Sequence, residues 1–337
     1  EKFPTALATA KRREIMAVTA TPRCGTLVTS LLPSSAVLRC QGHALSAGHH
    51  TFRALKQPRP KSLEEFQVST EPLGRGACSV VFAAKHRSTK YDVAIKAMSR
   101  TMPHETGALP VAKGIENESH VFNHLLGRGL SPHVVELIGC FKGSSDEAKV
   151  LGIELPNHQE AEPIHYFVTE LLGGGSLDQV VQDGPVEEDR AKTLFRKICE
   201  GLLSLHLEGV VHRDLKPGNV FFNSEAEPKL IDFSHAALAA EGEESLHGEL
   251  GTRGYVAPEV LAEKPYSSKC DIFSLGCLLH TLLSGKPPRR DMRIGMLLHL
   301  PSAVSPEARR FLSSLLSMDP TSRPTAKEVL KEPWLQE

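Results

Sequence analysis

The residues that could do chemistry fall in four short stretches. In VVHRDLKPGNVFF, residues 210–222, Asp214 and Asn219 lie five positions apart with Lys216 between them. A carboxylate, an amide and a cation in one loop can orient a hydroxyl, bind a metal ion and neutralise a phosphate. A second carboxylate, Asp232, follows an apolar run in KLIDFS. In VAIK, residues 93–96, Lys96 sits among Val93, Ala94 and Ile95, where its ammonium must meet an anion or lose much solvation. The plainer alternative is a Lys snorkelling from a strand edge. LGRGACSVV, residues 73–81, is a Gly-rich turn whose backbone amides can approach phosphate oxygens.

These stretches need elements to hold them. The alternating, β-branched texture of FQVSTEPLGRGACSVVFAAKH predicts a hairpin around the Gly-rich turn, and YDVAIKAMS predicts a third strand. GIENESHVFNHLLGRG predicts a helix ending at Gly127, with Val121, Phe122 and Leu125 on its buried side. That spacing turns Glu118 inward as the partner of Lys96, with Glu116 as the competing choice. HVVELIGCFKG and HYFVTELL predict two more strands, separated by SSDEAKVLGIELPNHQEAEP, a polar inserted surface loop. After the glycines at 173–175 the chain turns helical. AKTLFRKICEGLLSLHLEG reads as a long buried helix and CDIFSLGCLLHTLLSG, apolar nearly all round, as the centre of a helical lobe, with further helical signals in EARRFLSSLLS and AKEVLKEPWL. The expected fold class is α+β in two lobes: a small strand-rich lobe over 66–172 and a larger helical lobe over 173–335.

In order and spacing, LGRGACSVV, VAIK, HRDLKPGN, DFS, GTRGYVAPE, DIFSLG and DPTSRPT resemble the eukaryotic protein kinase family, serine/threonine type, over about residues 66–335. The resemblance implies ATP and Mg²⁺ as cofactors and protein Ser/Thr hydroxyls as phosphoryl acceptors. Carried over, Lys96 holds the α- and β-phosphates and pairs with Glu118. Asp214 orients the acceptor hydroxyl and takes its proton, Lys216 neutralises the γ-phosphate, and Asn219 and Asp232 hold magnesium. Gly74, Gly76 and Ser79 line the phosphate turn. Val81, Ala94 and Phe221 sandwich adenine, Thr169 is the gatekeeper, the backbones of Glu170 and Leu172 meet the base, and Ser176 lies near the ribose. Thr252 is expected to contact Asp214. Glu259 with Arg323, and Asp271, are braces of the helical lobe, while His212 and Phe233 are packing residues.

Within that resemblance Arg213, before Asp214, implies control by phosphorylation of the following loop by an upstream kinase, because the Arg needs an anion nearby. Ser245 is the candidate phosphosite; alternatively Glu241, Glu243, Glu244 or Glu249 already supplies the charge. Three departures stand out: Ser79 replaces the third Gly of the phosphate turn, four residues around 127–130 are additional, and Ser234 replaces the Gly that usually follows Asp-Phe. The DFS turn is expected to work with altered mobility, since the charged residues all remain. The runner-up is a pseudokinase, a nucleotide-binding or scaffolding module. A small-molecule kinase is disfavoured by GTRGYVAPE, which resembles a peptide-docking segment. Gly218 and Ser176 stand where basophilic relatives carry acids, so no strong preference for Arg upstream of the target is expected.

Of 337 residues, 40% are apolar and 23% charged, the make-up of a soluble globular chain. The net charge of −1 gives no global argument for nucleic acid. Residues 1–61 carry ten Lys or Arg against two acids. Residues 1–62 read as a basic low-complexity tail, disordered or an organelle-targeting segment. The seven Cys are spread singly, with no CxxC pair, which suits a reducing compartment, with the cytoplasm as the expected location. No apolar run approaches the 18 or more residues of a membrane span, and a monomer is expected.

Overall fold

A computed structural model describes residues 59–76, 79–99, 111–150, 163–240, 242–248, 251–291, 295–297 and 299–336. Residues 1–58 of the basic tail, residues 151–162 of the insert, and Glu241 and Glu249 lie outside the described residues.

The strand-rich lobe is one five-stranded antiparallel sheet in the order β1-β2-β3-β5-β4. Its strands are β1 Phe66–Arg75, β2 Ser79–His86, β3 Asp92–Met98, β4 Leu137–Gly143 and β5 Ile164–Glu170. The period of two along β2 and β3 gives the sheet two different faces. Val80, Phe82, Val93, Ile95 and Ala97 point to a closed apolar layer with Leu63, Phe66, Ile164 and Val168. Val81, Ala94 and Lys96 alternate with them and stay half-buried on the opposite face. The register sets Val81 opposite Lys96 and Ala94 opposite Thr169.

The described residues begin ahead of the first strand. Ser62 caps a short 3-10 turn, Leu63–Glu65, in a capping box with Glu65. The Lys61 amide donates to Glu65 Oε1 at 2.6 Å, and Pro60 is buried against Gly139. The last residues of the basic segment are therefore part of the fold. Helix α1, Val111–Leu125, packs on this lobe. Its Phe122 ring lies 5.5 Å from that of Phe167. The additional residues at 127–130 form a longer turn, where Gly127 takes φ +82° and Arg128 pairs with Glu208. The polar insert opens with a short helix, α2 Ser145–Val150, that buries Ala148; the start of this segment is helical rather than loop.

In the helical lobe the long helix α4 (Glu188–Leu207), preceded by α3 (Leu177–Gln182), packs on α6 (Lys269–Ser284). Fourteen consecutive residues of α6 are buried, including Ile272, Phe273, Leu275 and Leu279. A helix covered on every side must come from an apolar stretch. The remaining helices are α5 (Pro258–Leu261), α7 (Pro306–Leu315), α8 (Ala326–Val329) and α9 (Pro333–Gln336). Two short ribbons hold the polar loops on this lobe. They pair β6 (Val210–Val211) with β9 (Ala237–Leu238), and β7 (Val220–Phe222) with β8 (Pro228–Leu230). A small hairpin, β10 (Arg289–Asp291) with β11 (Gly295–Leu297), follows α6. Among the described residues no helix is long and apolar enough to cross a membrane. The four cysteines described, Cys140, Cys199, Cys270 and Cys277, are free thiols.

Candidate functional site

The ribbons and α6 fix the loop that carries Asp214. Asp271, in the first turn of α6, is fully buried. It accepts from the amides of His212 and Arg213, both at 2.8 Å, and from His206 Nε2 at 2.9 Å. Burial alone would push its carboxyl up, but the His206 hydrogen bond and the nearby charges and amides hold it below the usual range. The price of this anchoring is local strain: Arg213 adopts φ +66°, a left-handed conformation that non-Gly residues rarely take.

Asp214 then meets a ring of donors. Its Oδ1 accepts from Thr252 Oγ1 at 2.8 Å. Its Oδ2 accepts from Lys216 Nζ at 2.8 Å and Asn219 Nδ2 at 2.9 Å. Lys216 Nζ also donates to Thr252 Oγ1 at 2.6 Å. Asn219 Nδ2 makes a second bond to the main-chain carbonyl of Asp214 at 2.8 Å. Both amide hydrogens of Asn219 are thus used on acceptors, and its oxygen is the end left for a cation. The Ile231 amide donates to the Asn219 carbonyl at 3.0 Å, which ties Asn219 to the strand end that presents Asp232. One amide oxygen and one carboxylate, both hard oxygen donors, fit Mg²⁺, an ion that keeps several waters and takes few protein ligands.

Lys96 links the two lobes. Its Nζ donates to Glu118 Oε1 and Oε2 at 2.8 and 3.0 Å and to Asp232 Oδ1 at 2.7 Å. Glu118, rather than Glu116, is therefore the partner on α1. Burial pulls the Lys96 ammonium down, but Asp232 and Glu118 outweigh it and hold it above its ordinary value. Burial pushes Glu118 up to about 7, against the pull of Lys96. Asp232 goes the other way: Lys96 and the Ser234 hydrogen bonds hold its carboxyl well below the usual range despite burial.

The DFS turn has an unexpected strain pattern. The left-handed residue is Asp232, at φ +64°, whereas Ser234 is not among the described residues with positive φ. In this conformation Ser234, standing in place of Gly, therefore needs no left-handed backbone. The Ser234 amide donates to Asp232 Oδ1 at 3.2 Å, and its hydroxyl meets His235 Nδ1 at 3.2 Å. Phe233 is buried, its ring 5.9 Å from that of His212. Phe233 packs in the core, whereas the His212 ring is tied to both loops: its Nδ1 accepts from the Asp214 amide at 3.3 Å and its Nε2 donates to the Ile231 carbonyl at 3.1 Å.

The glycine turn is described up to Gly76 and again from Ser79, with the Gly76 amide donating to the Ser79 carbonyl at 2.8 Å. Gly74 pairs with Val81 across the hairpin. Glu170 accepts from Lys229 Nζ at 2.7 Å and from the Glu136 amide at 2.7 Å, so its side chain braces the link between the lobes, while its own amide donates to the Glu136 carbonyl at 3.1 Å and its carbonyl accepts from Thr169 Oγ1 at 3.2 Å. Leu172 is half-buried beside the helical core. Ser176 caps α3, accepting from the Gln179 amide, and bridges to Phe221. These positions, with Val81 and Ala94 on the half-buried sheet face, lie along the junction of the two lobes.

Three participants escaped the motif reading. His235 Nδ1 lies 4.0 Å from Asp214 Oδ2, and Lys229 holds Glu170. Tyr266 accepts from Arg213 Nη1 at 3.2 Å and donates to the Gly248 carbonyl at 3.2 Å. A single His, Lys or Tyr in a loop carries no spacing signal. Arg213 was expected to need an anion. Instead Nε donates to the His235 carbonyl at 2.5 Å and Nη2 to the Ala236 carbonyl at 3.4 Å, so the cation is satisfied by carbonyls and a hydroxyl. Ser245 is exposed.

Glu259 and Arg323 form the expected brace, with Nη1 and Nη2 donating to Oε1 and Oε2 at 2.6 and 2.8 Å.

The family model for the protein kinase domain matches residues 67–335, and the chain belongs to the protein kinase family. It is similar to sperm motility kinase 2B of Mus musculus, 31% identical over 80% of this chain and 52% of that protein. Calcium/calmodulin-dependent protein kinase type II of Caenorhabditis briggsae is 33% identical over 79% of this chain and 48% of its own length. Serine/threonine-protein kinase PEPKR2 of Arabidopsis thaliana is 30% identical over 96% of this chain and 63% of its own. The chain thus spans about half to two thirds of the length of these curated relatives.

Proposed function

We propose that the protein is an ATP-dependent serine/threonine kinase that transfers the γ-phosphoryl group of Mg-ATP to protein hydroxyls. The observation that carries this reading is the simultaneous assembly of both charge clusters: Lys96 on Glu118 and Asp232, and Asp214 within hydrogen-bond reach of Lys216, Asn219 and Thr252. Phosphoryl transfer asks the protein mainly for positioning and charge neutralisation, which these residue types supply. Asp214 orients the acceptor hydroxyl and takes its proton. Lys216, next to it, faces the charge on the moving phosphoryl group, and Lys96 holds the phosphates of the donor. Asn219 and Asp232 would hold magnesium, which supplies charge neutralisation between the phosphates.

Lys216 and its Thr252 contact favour Ser and Thr as acceptors, and the names of the relatives point the same way. The half-buried face of Val81 and Ala94, with Phe221 opposite, is where adenine would lie, its edge meeting the backbones of Glu170 and Leu172. Gly74, Gly76 and Ser79 would cover the phosphates, and Ser176 would stand near the ribose. Free thiols suit a reducing compartment such as the cytoplasm.

The test is ATP- and Mg²⁺-dependent phosphorylation of a generic protein mixture by the wild type and by Asp232→Ala. Activity in the first and loss in the second is the expected result. A wild type as silent as Asp232→Ala, even after treatment with an activating kinase, would replace this reading with a nucleotide-binding pseudokinase.

A further inference from the structure

The segment that carries Thr252 is a tight turn anchored at both ends. Thr252 touches Asp214 at 2.8 Å. The Tyr255 amide donates back to the Thr252 carbonyl at 3.0 Å, closing the turn. Tyr255 is held by α6: its carbonyl accepts from Ser274 Oγ at 2.8 Å and its hydroxyl meets Thr281 Oγ1 at 3.2 Å. The two residues between, Arg253 and Gly254, are exposed. Gly254 takes φ +93°, as the third residue of a type II turn requires. A Cβ at Gly254 would lie 3.6 Å from Pro287, so the turn rests against the end of α6.

Lys286, the residue before Pro287, is also exposed, and its carbonyl is held by His280 Nδ1 and Ser284 Oγ, each at 2.8 Å. Among the described residues neither the Arg253 guanidinium nor the Lys286 ammonium has an ion pair or hydrogen bond. The acid felt on this side is Asp178, which acts on the Tyr255 hydroxyl and accepts from Gln182 Nε2 at 2.8 Å. Gly218, in the loop that carries Asp214, and Ser176, which caps α3, are uncharged.

A hydroxyl delivered to Asp214 must arrive beside Thr252, and consecutive Cα atoms are about 3.8 Å apart. Whatever flanks that hydroxyl in a peptide therefore passes over Arg253. We infer that Arg253, with Lys286 behind it, is a specificity residue that selects protein substrates carrying Asp or Glu within one or two residues of the acceptor Ser or Thr. The fixed turn places the cation in advance, so little ordering is lost when an acidic side chain arrives. This inference rests on the phosphotransfer reading for its acceptor, but not for its binding chemistry.

The test uses Ser peptides with Asp, Ala or Lys placed singly at each of the two positions on either side of the acceptor. Two readouts are taken: kcat/KM for phosphorylation, and binding of the same fluorescein-labelled peptides by anisotropy at 50 and 300 mM salt. An exposed ion pair shifts affinity by about two- to fivefold, so at one position Asp should exceed Ala by that factor and Lys by about tenfold. The difference should sit in KM and shrink at high salt. Arg253→Glu should invert the Asp-to-Lys ratio at that position, Arg253→Lys should retain it, and Lys286→Ala should reduce it by a smaller factor. A ratio near one in the wild type, or a ratio unchanged by Arg253→Glu, overturns the inference while leaving the kinase reading intact. Acid-selective binding that depends on Arg253, without turnover, supports the inference and overturns the kinase reading.

Discussion

Two buried carboxylate–cation pairs brace the two lobes, and they are built to opposite ends. Arg323 offers a planar fork. It donates twice to Glu259, once each to the carbonyls of Ser317 and Lys269, and lies 5.0 Å from the centre of the Phe273 ring. All its partners belong to the helical lobe. Lys96 is a point charge on a flexible stem, and its donors are divided between Glu118 on α1 and Asp232 at the end of a C-lobe strand. A rigid fork within one lobe fixes a structure; a mobile ammonium shared across a junction can exchange an acid for a phosphate. The difference is visible in the acids too, since burial leaves Glu118 near neutrality while Asp232 is held far below it.

The largest effect that separates the two pairs is expected from Arg323→Met. Removing one partner of a buried pair costs about 3–5 kcal/mol, read as a lower urea midpoint. Lys96→Met should leave a smaller stability loss, because Glu118 can take up a proton, yet reduce phosphoryl transfer by about 100-fold or more. Equal stability losses in the two variants would break the comparison.

The pH dependence sharpens it. A free Glu titrates near 4.3 and Glu118 near 7, so in that window the folded chain holds the extra proton. Stability contributed by this group is full below the unfolded value and is lost as pH rises through about 7. Pairing with Lys96 needs the ionised form, so kcat/KM for ATP should fall on the acid side with a midpoint near 7. In Glu118→Gln that limb should vanish, leaving a lower, flatter profile. The Asp232 contribution has the reverse sign and is lost only as pH falls below about 4.

Arg213 is a third cation, intermediate between the two. Tyr266→Phe removes the hydroxyl that it shares with Gly248, and should cost about 1 kcal/mol and speed hydrogen exchange over 242–248. The smallest effect is expected at Ser234. Because no positive φ is needed there, Ser234→Gly should change activity less than threefold; a large gain would show that the turn is held back in solution.

Much of the site was legible in the chain. Lys96 and Asp232 stood out as charges placed within or after apolar runs, because burying such groups without a purpose is costly, while Asp214 and Asn219 stood out as a carboxylate and an amide five apart in one loop. The helix face of Glu118 followed from Val121, Phe122 and Leu125, and the fold class from a change of period near residue 173. What the chain could not disclose depends on distance in space. That Tyr266 shares its hydroxyl between Arg213, 53 residues earlier, and the Gly248 carbonyl is a contact across a loop. The division of Lys96 between two acids, the carbonyls around Arg213 and the turn that exposes Arg253 beside Pro287 arise the same way. Local sequence determined which groups could be charged, apolar or turn-forming, since propensity and period act over a few residues. Tertiary packing alone decided which charges share a partner and which are left free, because electrostatic coupling follows separation in space and burial, not order along the chain.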